Sequence, residues 1–180
     1  MPQLVALSFS IAVLGGIWAY LALGPLSGIV LVWAGFIAWG CFFHAGGDNK
    51  ALIKTIAGTT YGVLIAWIAL LILFKAGAAD MGTGAIASVV GVTVFFLVIV
   101  ASIEPLSAVP ANVYGYASTV AYSLHQASAP GATPDTPGTG PLQNLLSASV
   151  ENPLILLIAS MILGAIFGYL SGQLAKAISK

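Results

Sequence analysis

Arginine is absent from this chain, and charge of either sign is scarce: five lysines and five acidic residues amount to 6% of positions. Water-soluble domains carry about 25% charged residues, so a soluble globular fold is excluded at the outset. With the two signs in balance and no run of like charge, there is no basic face for nucleic acid and no charged stripe for a membrane-surface helix. A single cysteine, Cys41, excludes an internal disulfide and a four-thiolate metal site. No Walker loop, GxSxG, HExxH or CxxC is present. The expectation is therefore a non-enzyme with no catalytic residue, no metal and no cofactor.

Apolar surface is abundant. Hydrophobic residues make up 59% of the chain, and mean hydropathy is +1.06. A helix crosses the hydrocarbon with about 20 mostly apolar residues, and six segments qualify: 3–23, 25–43, 52–74, 84–103, 106–124 and 153–175. The pattern predicts an all-α integral membrane protein of six transmembrane helices. Gly24-Pro25 and Glu104-Pro105 divide consecutive spans, and proline suits the first turn of a helix, where its missing N–H would be unpaired anyway. The fifth segment is the most polar, with Ser107, Ser118, Thr119 and Ser123, and Pro110 and Asn112 interrupt it. Irregular backbone at membrane depth persists only where protein or water covers it.

The N-terminal stretch has the length of a signal peptide without its positive start, so it reads as the first helix of the mature protein. Placing the N-terminus inside puts Lys50, Lys54, Lys176 and Lys180 on the cytoplasmic side and only Lys75 outside, as the positive-inside rule requires. A bacterial inner-membrane protein with both termini cytoplasmic follows. SAPGATPDTPGTGPLQ, at 128–143, is the centre of an external Pro/Gly loop spanning 126–150.

The chain states one pattern twice. GPLSGIVLVWAGFIAWG at 24–40 is echoed by EPLSAVPANVYGYASTV at 104–120. At an offset of eighty, Pro25-Leu26-Ser27 meets Pro105-Leu106-Ser107, Gly35 meets Gly115 and Phe36 meets Tyr116. Gly58-Thr59-Thr60-Tyr61-Gly62 pairs with Gly164 to Gly168, both GxxxG. The chain thus reads as a single transmembrane domain, 1–180, with repeat one at 3–75 and repeat two at 84–175. Three spans per unit is odd, so the second unit enters the membrane from the opposite side, giving two inverted three-helix repeats.

Paired helix starts that begin below the headgroups would offer free N–H groups and a positive dipole end. Ser27 and Ser107 would add hydroxyls there, Thr59 and Thr60 further donors and acceptors, and Asn112 an amide. Phe36 and Tyr116 would form aromatic walls. Glu104 is either a helix-start carboxylate or a proton-coupling group at the inner mouth. Cys41, His44 and Asp48 hold types that bind metals, but AGGDN breaks the helix after His44 and leaves them in an interfacial loop.

GPLSGIVLVWAGFIAWG followed by ALIKTIAGTTYGVLIAWIAL is similar to the NPxSG helix and the GT-containing helix after it in each half of the urea transporters. ENPLILLIASMILGAIFGYLSG, at 151–172, resembles the glycine-rich helix of their second half. The resemblance implies inverted halves meeting at a narrow pore, a serine and threonine ladder flanked by phenylalanines, and assembly as a trimer. The chain departs from that family in having three helices per half instead of five, and in Gly24 where their asparagine precedes the proline. The whole chain also resembles the small bacterial inner-membrane family catalogued as domain of unknown function 1097, marked by WAGFIAW (33–39) and PANVYGYAS (110–118). That resemblance implies a fold and no established activity.

The functional expectation is a channel or facilitator for a small neutral polar solute, urea or a short amide first, working as a homo-oligomer in the lipid bilayer without nucleic acid. A proton-coupled transporter using Glu104 and a non-transporting scaffold or regulatory subunit are the alternatives.

Overall fold

The computed structural model describes residues 1–127 and 142–179; Lys180 and the centre of the external loop lie outside the described residues. Six α-helices follow one another: α1 (Gln3–Leu23), α2 (Val32–His44), α3 (Asn49–Phe74), α4 (Thr83–Ile99), α5 (Val109–Ala127) and α6 (Pro153–Ile178). Among the described residues, four helical stretches are long and apolar enough to cross a membrane: Gln3–Leu23, Asn49–Phe74, Thr83–Ser102 and Pro153–Ile178. The chain is a multi-pass membrane protein.

All six expected helices form, but the second and fifth are not among these four. At 13 residues, α2 is about 20 Å long, too short for hydrocarbon of about 30 Å. The helix expected from Pro25 does not form, because Gly28 takes φ +80°, a left-handed conformation that cannot continue a right-handed helix. Residues 24–31 run instead as consecutive turns, with Ser27 N–H donating to Gly24 O at 3.0 Å and Ile29 N–H to Leu26 O at 2.9 Å. Likewise Glu104–Leu106 is a separate 3-10 turn, and α5 starts only at Val109. Pro110 and Asn112, expected to interrupt this helix, lie in its first turn.

The other starts are capped by side chains. Asp48 accepts from Ala51 N–H at 2.7 Å and opens α3 three residues earlier than hydropathy suggests. Asn152 accepts from Leu154 N–H at 2.9 Å, with Pro153 as the first helical residue of α6.

Contacts fix the helix directions. Ser10 donates to Ser171 O at 2.9 Å and the Trp18 and Phe167 rings lie 5.5 Å apart, so α1 and α6 are antiparallel. Gly58 packs on Ala111 and Gly62 on Asn112 and Tyr116, so α3 and α5 are parallel; Gly164 packs on Gly35 and Gly168 on Trp39, so α2 and α6 are parallel. Four residues join α2 to α3, which makes α2 and α5 antiparallel. Lys50, Lys54 and Lys176 therefore gather at the end where α3 starts and α6 finishes, and Lys75 sits at the other. At that other end, Asn152 donates to Leu145 O at 3.1 Å and Trp67 donates to the same carbonyl at 2.7 Å, pinning the chain before α6 to α3.

The long helices α3 and α6 form the centre, each with 44% of its most apolar window buried, against 17% for α1 and 11% for the α4 stretch. Lipid tails are as apolar as leucine, so helices in a bilayer associate through close packing and interhelical hydrogen bonds. Small residues supply that packing: a Cβ on Gly62 would overlap the Asn112 carbonyl oxygen, one on Gly164 the Gly35 carbonyl oxygen, and one on Gly115 the Thr59 carbonyl oxygen.

Candidate functional site between α2 and α5

The starts of α2 and α5 are tied to neighbouring helices. Leu31 N–H, at the cap of α2, donates to Ser160 Oγ at 2.8 Å. Ser160 lies seven residues into α6, about 10 Å from its start. Trp18 Nε1 also donates to the first-turn carbonyl of Val32 at 2.9 Å. On α5, Asn112 is fully buried and its Nδ2 donates to Leu97 O and Leu106 O, both at 3.1 Å. One amide thereby ties the end of α4, the 3-10 turn and the first turn of α5 together. Its Oδ1 has no hydrogen-bond partner among the described residues and lies 2.7 Å from where a Gly58 Cβ would stand. Replacing Asn112 with leucine would strand two buried carbonyls, so a loss of about 2–4 kcal/mol is expected, read as a lower midpoint in detergent-induced unfolding.

The burial patterns of α2 and α5 coincide. Ala34, Gly35, Ala38, Trp39, Cys41 and Phe42 are buried in α2, and Ala111, Asn112, Gly115, Tyr116, Ser118 and Thr119 recur with the same spacing in α5. Every buried residue of α3 except Leu70 likewise has a buried counterpart in α6, Gly62 standing for Gly164 and Ala66 for Gly168. The close contacts obey the same register, since Gly62 meets Asn112 as Gly164 meets Gly35. The burial patterns of α2 and α5 align at an offset of 77, about one helical turn from the offset of eighty at which the letters pair. Phe36 is 42% exposed while Tyr116 is 8% exposed; the counterpart of Tyr116 is Trp39.

Where α2 and α5 run side by side they enclose an open groove of about 470 Å³. Phe36, Ile37, Gly40, Cys41 and His44 form one wall, Tyr114, Ala117 and Ser118 the other. In the register above, Ile37 faces the role of Tyr114, Gly40 that of Ala117 and Cys41 that of Ser118. Polar groups are sparse: the Ser118 hydroxyl, the Tyr114 phenol, the Cys41 thiol, which Thr55 Oγ1 meets at 3.9 Å, and His44 at one mouth. Such a groove offers a small neutral molecule a few scattered hydrogen-bonding groups and no carboxylate or ammonium.

Of the residues expected to form a pathway, only Phe36 lines this groove, its ring stacked on Trp39 at 5.6 Å. Pro25 and Ser27 are exposed in the turns before α2. Pro105 is exposed at the opposite end, where Ser107 Oγ donates to Glu104 O at 2.8 Å. The two PLS segments do not converge. Thr59 is buried and returns its hydroxyl to Thr55 O at 2.7 Å, and Thr60 is half-buried. Tyr116 is hydrogen-bonded to Thr93 Oγ1 at 3.0 Å. Glu104 forms an ion pair with Lys54 at 3.1 Å, its side chain 77% exposed. Asp48 is engaged as a helix cap, and although Cys41 and His44 share the groove wall, the three form no metal-binding cluster among the described residues. Sequence reasoning missed Gly40 and Ala117; the one available signal was small residues at matching places in the two halves.

A family described as protein of unknown function (DUF1097) matches residues 8–176. The chain belongs to that family. The match covers all six helices, and the family's description carries no activity. No curated protein and no solved structure matches the chain, and nothing in these comparisons joins it to the urea transporters.

Proposed function

We infer that this member of the family is a membrane facilitator that passes a small neutral polar solute along the groove between α2 and α5. The observation that carries the reading is that six of the eight lining residues pair at one constant offset, Ile37 with Tyr114, Gly40 with Ala117 and Cys41 with Ser118, on two helices that run in opposite directions. That pairing is what an inverted repeat would produce around its two-fold axis, where transporters built this way place their sites. The exchanged packing supports it: α2 and α1 pack on α6, as α5 and α4 pack on α3. Lysines gathered at one end support an inner-membrane protein with cytoplasmic termini. The groove is open along one side, which a neighbouring copy in a homo-oligomer, a trimer being the first to test, would close.

Purified protein in liposomes tests this by light-scattering flux of urea, formamide, acetamide, glycerol and water against empty vesicles. Saturable flux of at least one solute is expected, changed less than about two-fold by Ser27→Leu or Ser107→Leu, whose sites lie at the rims. No flux above empty vesicles for any solute rejects the facilitator and leaves the scaffold reading. Glu104 lies outside the groove and is already paired, so Glu104→Gln is expected to leave the pH profile of flux unaltered and to cost less than about 1 kcal/mol, as exposed ion pairs do. A flattened pH profile would favour the proton-coupled alternative instead.

A further inference from the structure

We propose that the lysine end carries a binding site for the phosphate of an anionic phospholipid, separate from the α2–α5 groove. A cavity of about 550 Å³ lies between the start of α3 and the end of α6, lined by Asp48, Asn49, Lys50, Tyr169, Gln173 and Lys176. Lys50 and Lys176 come from different helices, and neither forms an ion pair among the described residues, where the one such pair is Lys54–Glu104. Asp48 subtracts one charge, but its Oδ1 is engaged by Ala51 N–H, so the cavity is net positive. Gln173 and Tyr169 add hydrogen-bonding groups between the two ammonium groups. Basic pockets between membrane helices on the lysine-rich side take acidic headgroups, because a phosphate there neutralises charges that otherwise face one another.

A soluble phosphate compound would meet the same lysines, and two features favour the lipid. The cavity sits at the ends of two membrane-crossing helices, at headgroup level, with Tyr169 in the place interfacial aromatics occupy. One turn further into the membrane from Lys50 and Tyr169, Ile53 and Ile166 are exposed on the same helix faces, a surface for acyl chains and not for a soluble ion.

The test is native mass spectrometry of the full chain in mild detergent, titrated with phosphatidylglycerol and with phosphatidylcholine of identical acyl chains, beside thermal shifts in inorganic phosphate. Phosphatidylglycerol is expected to bind selectively, weakening about five-fold for Lys50→Gln or Lys176→Gln and about twenty-five-fold for both, while Lys75→Gln at the opposite end leaves it unchanged. All three positions are exposed, and circular dichroism checks that each variant is folded. Equal binding of phosphatidylcholine, or of phosphatidylglycerol to the folded double variant, overturns the site. Stabilisation by inorganic phosphate as large as that by phosphatidylglycerol overturns the lipid assignment in favour of a soluble phosphate ligand.

Discussion

Gly62→Ala and Gly164→Ala are each expected to destabilise the fold by about 3 kcal/mol or more, a large effect for a single methyl group. A Cβ at 62 would overlap Asn112 O and lie 2.8 Å from Tyr116 N, and one at 164 would overlap Gly35 O and lie 2.5 Å from Gly35 C. Backbone atoms held in helices cannot step aside as a flexible side chain does, so the α3–α5 or the α2–α6 pair must separate. Both pairs are held largely by these approaches, since burial of apolar surface drives little association inside a bilayer. Gly91→Ala is the control: a Cβ there meets nothing within 4 Å, and alanine favours a helix over glycine by up to about 1 kcal/mol. Unfolding in mixed micelles with increasing dodecyl sulfate, followed by tryptophan fluorescence, reads all three. If Gly62→Ala unfolded at the same midpoint as Gly91→Ala, the account of the helix pairs would be wrong.

The same two glycines show how far the letters lead. Hydropathy placed α1 and the start of α6 at their observed bounds, because long apolar runs allow no other solution in lipid. The register in which the burial patterns match was hidden, because Gly58, Gly62 and Ala66 on α3 and Ser160, Gly164 and Gly168 on α6 are ladders of small residues repeating every four positions. A slip of one turn along such a ladder changes few letters, and only contact with a partner helix decides it. The PLS segments misled for a related reason. Pro25 and Ser27 are good helix starters in isolation, but Gly28 follows one PLS segment and Ala108 the other; with Gly28 left-handed, α2 starts five residues after Ser27, whereas α5 starts two after Ser107. The second helices then fall out of step with the letters that precede them. The groove was illegible because its defining residues, Gly40 and Ala117, are marked by the space they leave and not by any polar group.

That space is the basis of the largest functional effect expected. A Cβ on Gly40 meets nothing within 4 Å, so Gly40→Phe can place its ring in the groove without moving backbone, and phenylalanine suits a helix better than glycine does. Flux in liposomes should fall more than ten-fold while the unfolding midpoint stays within about 1 kcal/mol of the parent. Ala117→Phe, entering from the matching place on the opposite wall, should give the same loss, and Val92→Phe on the exposed face of α4 should give none. The pair matters more than either variant. A block from one wall alone would fit an accidental constriction near α2, whereas equal blocks from both walls require the solute to pass between the two halves. Folded Gly40→Phe and Ala117→Phe proteins with undiminished flux would place the pathway elsewhere and leave the matched walls of α2 and α5 as packing alone.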